Sequence, residues 1–341
     1  MFQSTTNYHS SDKCASRGMN VKFDELRRKL EKNDASTTAI IWHFPIDDTG
    51  IALLSESLAK NSIFTEIYLT KCEFGNEGFI SLASLIEAKK RLKKLVIDFG
   101  DNNKVVHGTS GTIRFGLALR HCRLMKLEIK CMNMFDNSTS ALASGLAGNN
   151  TIERVDIVRN YFGDDGVKEI AKMMRVNTSI KYIDLSQNMI TCIGVQSLCS
   201  ALQENTSLRE LNLSCNPIEH DGIISISQML HTNSTVEVIS MQSIEIDTVG
   251  AAALVDAVST NVMIRNIYLD DFEVEQQVRF YTELNTTWHR QILRLDDVPV
   301  GLWADIFARC GTETWDDDIY GFEPEEILYY FVKEKAELFR I

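Results

Sequence analysis

The side chains that could carry chemistry in this 341-residue chain are scattered along it rather than grouped. Asp164, Asp165 and Gly166 could begin a calcium loop, but the alternating oxygen ligands and closing glutamate of an EF-hand do not follow. These residues are interpreted as the acidic start of a helix. Cys192 and Cys199 form no CxxC pair, and the seven histidines include no i, i+4 pair on a helix.

Motifs that cradle phosphates or activate a nucleophile are also missing. The chain contains no GxxxxGK[ST], no HExxH, no GxSxG and no GxGxxG after a strand. The sequence therefore predicts no catalytic residues, no cofactor and no metal site, and a protein that is not an enzyme.

Charge and composition limit the classes of partner that the chain could bind. Lys and Arg total 35 against 47 Asp and Glu, a net charge of −12, which argues against nucleic acid or an anionic membrane as partner because either requires a basic face. No apolar run is long enough to span a bilayer, and the first 30 residues lack the apolar segment of a secretory signal. The eight unclustered cysteines favour free thiols, so we expect a cytoplasmic location, with the nucleus as the alternative.

Apolar side chains recur with a period of 28 residues. Six consecutive copies, the first at Leu124 and the last at Ile264, begin with the pattern apolar-x-x-apolar-x-apolar. In the copy that starts at Ile180, the other two apolar residues are Ile183 and Leu185. This spacing predicts one short strand in each copy.

Earlier copies extend the repeat towards the N-terminus. They begin at Phe64 and Leu92, and four extra residues follow the second. A degenerate first copy places Ala39 and Ile41 in phase as core residues. The sequence thus predicts nine repeats over residues 36–286.

Asparagine and glycine columns keep the same phase. Asn160, Asn188 and Asn216 follow the strands, where a side-chain amide can satisfy backbone groups at a bend. A glycine such as Gly194 precedes apolar residues at +1, +4, +5 and +8, which predicts a helix. The expected helix ends carry asparagine, which tolerates a left-handed C-cap. These are Asn149, Asn177, Asn205, Asn233 and Asn261.

Each unit is therefore predicted to be a strand, a turn, a helix and a return. A single unit cannot bury its own apolar face, so the copies must stack into a curved solenoid with a parallel sheet inside and helices outside. The LxxLxLxxN pattern resembles the ribonuclease-inhibitor-like leucine-rich repeats, and the resemblance covers roughly three quarters of the chain. It implies an α/β leucine-rich-repeat solenoid of about nine 28-residue repeats with a helical C-terminal cap.

The N-terminal residues precede this pattern. Residues 1–20 are rich in Ser, Thr and Asn and are expected to be flexible. Residues 21–35 are predicted to form a cap helix over the first repeat, with Phe23, Leu26 and Leu30 on one face.

The C-terminal residues depart from the 28-residue pattern. In the ninth repeat a shifted set of apolar residues predicts the helical face, and residues 287–341 are expected to form an acidic helical cap or module. Segments 279–285, 298–309 and 327–339 resemble the C-terminal extension of leucine-rich-repeat proteins from diatoms and related algae. The shifted set is Val274, Val278, Tyr281, Leu284 and Trp288.

Strand residues between the apolar ones are predicted to face solvent on the concave side. A basic row and an acidic row lie side by side there, and they either bind a partner or pair with each other. Aromatic residues flank the rows and are candidates for contact hot spots, with Trp42 at the N-terminal edge. The predicted partner-binding residues are Tyr68, Lys94, Lys126, Glu128, Arg154, Asp156, Tyr182, Asp184 and Tyr268.

The sequence therefore predicts a protein–protein interaction scaffold that recognises a protein partner through its concave face. One alternative is a regulator of a small GTPase, because Ran GTPase-activating proteins combine similar repeats with an acidic C-terminal region. A second is a ubiquitin-ligase adaptor, because residues 298–307 (VPVGLWADIF) resemble the start of an F-box.

Overall fold

The structure is a computed structural model that describes residues 6–8, 15–32, 39–100 and 109–286. Within those ranges, ten parallel strands form one sheet in chain order. The strands are β1 (Thr6–Tyr8), β2 (Ala39–Trp42), β3 (Glu66–Thr70), β4 (Lys94–Asp98), β5 (Lys126–Lys130), β6 (Arg154–Val158), β7 (Tyr182–Asp184), β8 (Glu210–Asn212), β9 (Val238–Ser240) and β10 (Asn266–Tyr268).

Helices alternate with these strands, so the predicted α/β solenoid is confirmed. They are α1 (Ala15–Glu31), α2 (Asp48–Lys60), α3 (Asn76–Ala88), α4 (Thr109–Leu119), α5 (Asp136–Ala147), α6 (Asp164–Val176), α7 (Cys192–Leu202), α8 (His220–Thr232), α9 (Thr248–Thr260) and α10 (Phe272–Thr286). Across the described ranges, every helix is too short or too polar to cross a membrane.

The core is one continuous apolar cluster that runs from Leu26 to Val278. Strand pairing places the apolar residues of successive repeats in columns, as where Ile183 pairs with Leu211. Leu185 and Leu213, which end their triplets, are fully buried. Burial on one side of the sheet therefore holds the register that the 28-residue period predicts.

The first repeat is displaced by one residue from the predicted phase. Ile40 pairs with Ile67 and Trp42 pairs with Leu69, so Ala39 and Ile41 do not occupy the core columns of the sheet. A one-residue slip exchanges the two faces of a strand, and here it buries the large apolar ring of Trp42. The predicted surface role of Trp42 is therefore wrong.

The N-terminal boundaries also differ from the prediction. Residues 6–8 form β1, which pairs with β2, and α1 begins at Ala15 rather than at residue 21. The open edge of β2 offers unpaired N–H and C=O groups to β1, and each residue added to α1 adds a backbone hydrogen bond. Residues 6–8 and 15–20, which the sequence predicts to be flexible, thus lie in a strand and in a helix. In α1, Leu26 and Leu30 are buried.

The turn asparagines connect neighbouring repeats. Asn160 Oδ1 accepts hydrogen bonds from the N–H groups of Met132 and Met134, and its Nδ2 donates to Ile129 O, all in the preceding repeat. The residue before each turn asparagine is left-handed, and Arg159 with φ of 56° is an example. The predicted bend is therefore closed by bonds between repeats as well as within one.

The helix-ending asparagines are not left-handed. Four of them follow their helices with φ between −85° and −75° and ψ between 128° and 136°, which is extended backbone. Asn177 shows the reason: Nδ2 donates to Leu146 O and Asn149 O of the preceding repeat, while Oδ1 accepts from the N–H groups of Ser179 and Ile180. The side-chain amide replaces the left-handed turn. The four are Asn61, Asn177, Asn233 and Asn261.

Asp164 acts on the next helix rather than on its own. Its Oδ1 accepts from the N–H groups of Thr191 and Gly194, at 2.9 and 3.0 Å, where α7 begins. A Cβ on Gly194 would lie 2.6 Å from this oxygen, so the contact requires glycine. Asp136 makes the same pair of bonds to Gly163 and Gly166. The carboxylates are therefore links between repeats.

The last helix follows the shifted apolar pattern at Val274 and Val278, which are buried, and at Tyr281, which packs against the core. The side chain of Leu284 and all of Trp288 lie outside the described residues, as do residues 287–341. Asn285 comes 24 residues after Asn261 instead of 28, yet its Nδ2 donates to Asn261 O. The helix-end hydrogen bonding thus continues into the ninth repeat.

We predict that Leu185→Ala and Leu213→Ala each lower the free energy of unfolding by about 2–5 kcal/mol, because each leaves a cavity in the shared core. Urea denaturation followed by circular dichroism measures the change. Val176→Ala, at an exposed end of α6, is the control and should shift stability by less than about 0.5 kcal/mol. Losses below about 1 kcal/mol at both leucines would contradict the register.

Candidate functional site

The open face is defined here as the side of the sheet opposite the helices, corresponding to the predicted concave face. Strand pairing places the two predicted rows in columns. Lys94, Lys126, Arg154 and Tyr182 are lateral neighbours along β4–β7. The second column follows the strands in the order Tyr68, Val96, Glu128, Asp156, Asp184, Asn212, Ser240 and Tyr268.

Glu128 is the centre of the charge cluster on the open face. Its carboxylate lies 2.8 Å from Lys126 Nζ, 2.7 Å from Lys130 Nζ and 3.5 Å from Lys94 Nζ, and the residue is only 6% exposed. Burial alone would raise its pKa, but hydrogen bonds from Lys126 and Lys130 outweigh burial and lower the pKa from 4.5 to about 2. Glu128 is therefore a carboxylate that fixes three ammonium groups.

Asp156 lies beside this centre and is also buried. Its carboxylate is 3.1 Å from Arg154 Nε and 3.8 Å from Lys126 Nζ. Burial raises the pKa of Asp156, and the attraction of Arg154 only partly opposes this. The predicted basic and acidic rows are thus paired with each other, and the cations rather than the carboxylates reach the surface.

Tyr182 completes the cluster. The Arg154 guanidinium carbon lies 3.4 Å from the centroid of the Tyr182 ring, a cation–π contact, and Tyr182 Oη donates to Asp184 at 3.3 Å. Burial, with the Asp184 charge next, raises the pKa of Tyr182 to about 12. Asp184 also accepts from Asn212 Nδ2 at 3.0 Å. These contacts hold each side chain in one position.

The other two predicted tyrosines lie apart. Tyr68 donates to Glu66 at 2.7 Å, and Lys94 Nζ is 4.6 Å from the centroid of its ring. Tyr268 is more exposed and lies at the far end of the sheet, seven strand spacings from Tyr68, or about 34 Å measured along the sheet. Tyr68 extends the cluster through Lys94, whereas Tyr268 stands outside it.

Sequence reasoning missed an apolar edge beside the cluster. Phe135, Tyr161 and Met189 follow β5, β6 and β7 and are 60%, 55% and 54% exposed. The rings of Phe135 and Tyr161 stack with centroids 6.1 Å apart. Tyr161 and Met189 come directly after the turn asparagines, and large apolar residues at those solvent-facing positions were the available signal.

Other chemistry is sparse in the parts of the chain that the structure describes. No three His, Cys, Asp or Glu side chains there are grouped as a metal ion would require. Six cysteines in these ranges are free thiols, and Cys199 occupies the helix-core column. Burial raises the pKa of Cys199 to about 12, which leaves it a protonated packing residue.

We predict that Glu128→Gln destabilises the protein by about 2 kcal/mol at pH 7, because three cations lose the charge that holds them. The folded pKa of Glu128 is depressed from 4.5 to about 2, so its contribution is present above pH 4.5 and is lost as pH falls towards 2. The stability gap between the two proteins should therefore narrow below pH 4.5. Urea denaturation at pH 7, 4.5 and 3.5 measures the gap.

Glu169→Gln is the control for this experiment, because Glu169 pairs with Lys172 on the exposed surface of α6. Its effect should be under about 1 kcal/mol. A gap at Glu128 that is independent of pH would show that the side chain matters for packing and that its charge does not.

Comparison with known proteins points to the same repeat. The family described as Leucine Rich repeat matches residues 148–171, 176–199 and 204–227. NACHT, LRR and PYD domains-containing protein 12 of Mus musculus is 26% identical over 152 residues. That alignment covers 44% of this chain and 14% of the mouse protein, so this chain corresponds to a small part of that relative.

Two solved structures are also similar over part of the chain. Leiomodin-1 Actin-Binding Site 2 has a TM-score of 0.40 at 15% identity and covers 46% of this chain and 91% of its own. The tropomodulin C-terminal domain of Caenorhabditis elegans has a TM-score of 0.37 at 12% identity and covers 54% and 96%. Three repeats of this chain thus match the Leucine Rich repeat family, and the strand–helix units in register along the described sheet give the chain a leucine-rich-repeat solenoid fold.

Proposed function

We propose that this protein is a recognition scaffold that binds a protein partner through the open face at β5–β7 and the apolar edge beside it. Leucine-rich-repeat proteins generally act in protein–protein interaction. The observation that carries the proposal is that β5–β7, which hold the fixed cluster of charges, lead into the loops that expose Phe135, Tyr161 and Met189.

The charge cluster is ordered before any partner arrives. Arg154 is held by Asp156 on one side and by the Tyr182 ring on the other. Lys126 and Lys130 are held by Glu128. Ordering a long side chain on binding costs about 0.5–1.5 kcal/mol, and these side chains have already lost that freedom. Their remaining N–H donors can therefore bind partner oxygens at low entropic cost.

The apolar edge supplies the other half of an interface. Phe135, Tyr161 and Met189 lie on successive loops, whose backbone bonds run from Tyr161 N to Met134 O and from Met189 N to Phe162 O. Aromatic residues and methionine are enriched in protein interfaces, where they bury apolar area next to a polar rim. A charged surface bordered by such residues fits a protein partner better than a small molecule.

We predict that Tyr161→Ala and Tyr182→Ala each weaken partner binding at least about 30-fold, as expected for hot-spot side chains near an interface centre. The partner is first captured from lysate with the full chain and identified by mass spectrometry. Its affinity for purified variants is then measured by calorimetry, with thermal melting as the folding check. Capture of a GTPase or of a ubiquitin-ligase component would bring one of the alternative functions forward.

The matched control is Lys172→Ala, an exposed side chain on α6 at the helix side of the solenoid. It should leave affinity unchanged. If Lys172→Ala abolishes binding while both tyrosine variants bind normally, the contact surface lies on the helix side and the proposal fails.

A further inference from the structure

We propose that a second surface, separate from the open face, binds an acidic peptide segment of a partner protein. The basic rim is defined by Lys90, Lys93, Arg120, His121 and Arg123, which lie between the ends of α3 and α4 and the starts of β4 and β5. All five side chains are exposed. This surface goes beyond the proposed function, because none of its residues belongs to the cluster around Glu128.

The segment that contains the basic rim is positively charged, whereas the chain as a whole is negatively charged. Residues 89–130, which hold the basic rim together with Lys94, Lys126 and Lys130 of the open face, contain eleven Lys and Arg but three Asp and Glu, a net charge of +8 in a chain whose total is −12. The remainder of the chain therefore carries −20. Such a local reversal creates a positive potential that attracts an anionic ligand to this place.

The cations of the basic rim differ from those of the open face in their partners. Lys126, Lys130 and Arg154 are paired with buried carboxylates. Among the described residues, no hydrogen bond or ion pair engages the basic rim side chains. Glu87 is a nearby carboxylate, but it makes a two-pronged bond to Arg114 at 2.7 and 2.6 Å. The donors of the basic rim thus remain available to a ligand.

Later repeats show that the fold does not require these cations. At the position of Arg123 they carry Thr151, Ser179, Ser207 and Thr235, whose hydroxyls donate to backbone carbonyls of the preceding repeat. The repeat therefore stacks with a hydroxyl here, and Arg123 is an addition to it.

The groove at the basic rim fits a short peptide. Its volume is about 770 Å³, and its lining includes the exposed apolar side chain of Met125 beside the cations. Glu153 also lines it, and its carboxylate pairs with Lys181 at 3.0 Å. The rim spans two repeats, or about 10 Å of sheet. A longer polyanion such as duplex nucleic acid would extend over the surrounding negative surface. A peptide with a few carboxylates next to one apolar side chain would pair with the cations of the basic rim and contact Met125.

The test is fluorescence anisotropy with the full chain and a labelled peptide of about ten residues, in which Asp and Glu alternate around one leucine. A peptide with Asn and Gln in place of the acids is the uncharged control. We predict binding of the acidic peptide that weakens with added salt, since the Debye length falls as ionic strength rises. The double variant Lys93→Gln/Arg123→Gln should weaken it at least about tenfold.

Lys168→Gln/Lys172→Gln removes the same charge from the helix surface of α6 and should bind the acidic peptide as the wild type does. Equal weakening in both double variants, or no binding by the wild type, would overturn the proposal. So would binding that appears only after Asp316, Asp317 and Asp318 are changed to Asn, because the chain's own acidic segment would then be the occupant. Tyr161→Ala and Tyr182→Ala should leave peptide binding unchanged, so the outcome here is independent of the open face.

Discussion

Stacking places the C-terminal carbonyl groups of the helices between repeats, and in α1 and α4–α8 an asparagine of a following repeat donates a hydrogen bond to one of them. A buried backbone group without a partner costs about 1–3 kcal/mol, and each repeat presents several. Asn205 meets this demand by donating to Met174 O and Asn177 O and by accepting from the N–H groups of Ser207 and Leu208. One amide thus closes its own return segment and the preceding helix end, which binds successive repeats into one unit.

Two repeats lack asparagine at this helix-ending position. Lys89 and His121 stand in the asparagine column. Lys89 Nζ donates to Asn61 O, the carbonyl 28 residues earlier that an amide reaches in later repeats, and also to Ala59 O. An ammonium group can therefore replace the amide as donor at the end of α2. Lys89 and His121 thus replace asparagine at the helix-to-strand edge of two repeats, and these repeats still stack in register. The basic rim lies at the same edge.

Much of the fold followed from the period, because the same burial recurs every 28 residues and sets strand triplets such as Ile180, Ile183 and Leu185. The first repeat could not be placed in this way, because β2 is shifted by one residue from the 28-residue phase. The shift buries the apolar ring of Trp42. Pairing on the open face was also beyond sequence reasoning. Columns follow from register, but whether Lys126 turns towards Glu128 or towards solvent depends on rotamers and on burial of the carboxylate.

The two proposed surfaces differ in their electrostatics. On the open face, Glu128 and Asp156 cancel part of the positive field and hold the cations in place, so the proposed recognition there depends on geometry and on the apolar edge of Phe135 and Tyr161. On the basic rim, no described carboxylate pairs with Lys93 or Arg123, so attraction acts before contact and at longer range. Salt screens the rim strongly and the partly buried cluster weakly. A partner that used both surfaces would be steered by the rim and discriminated by the open face.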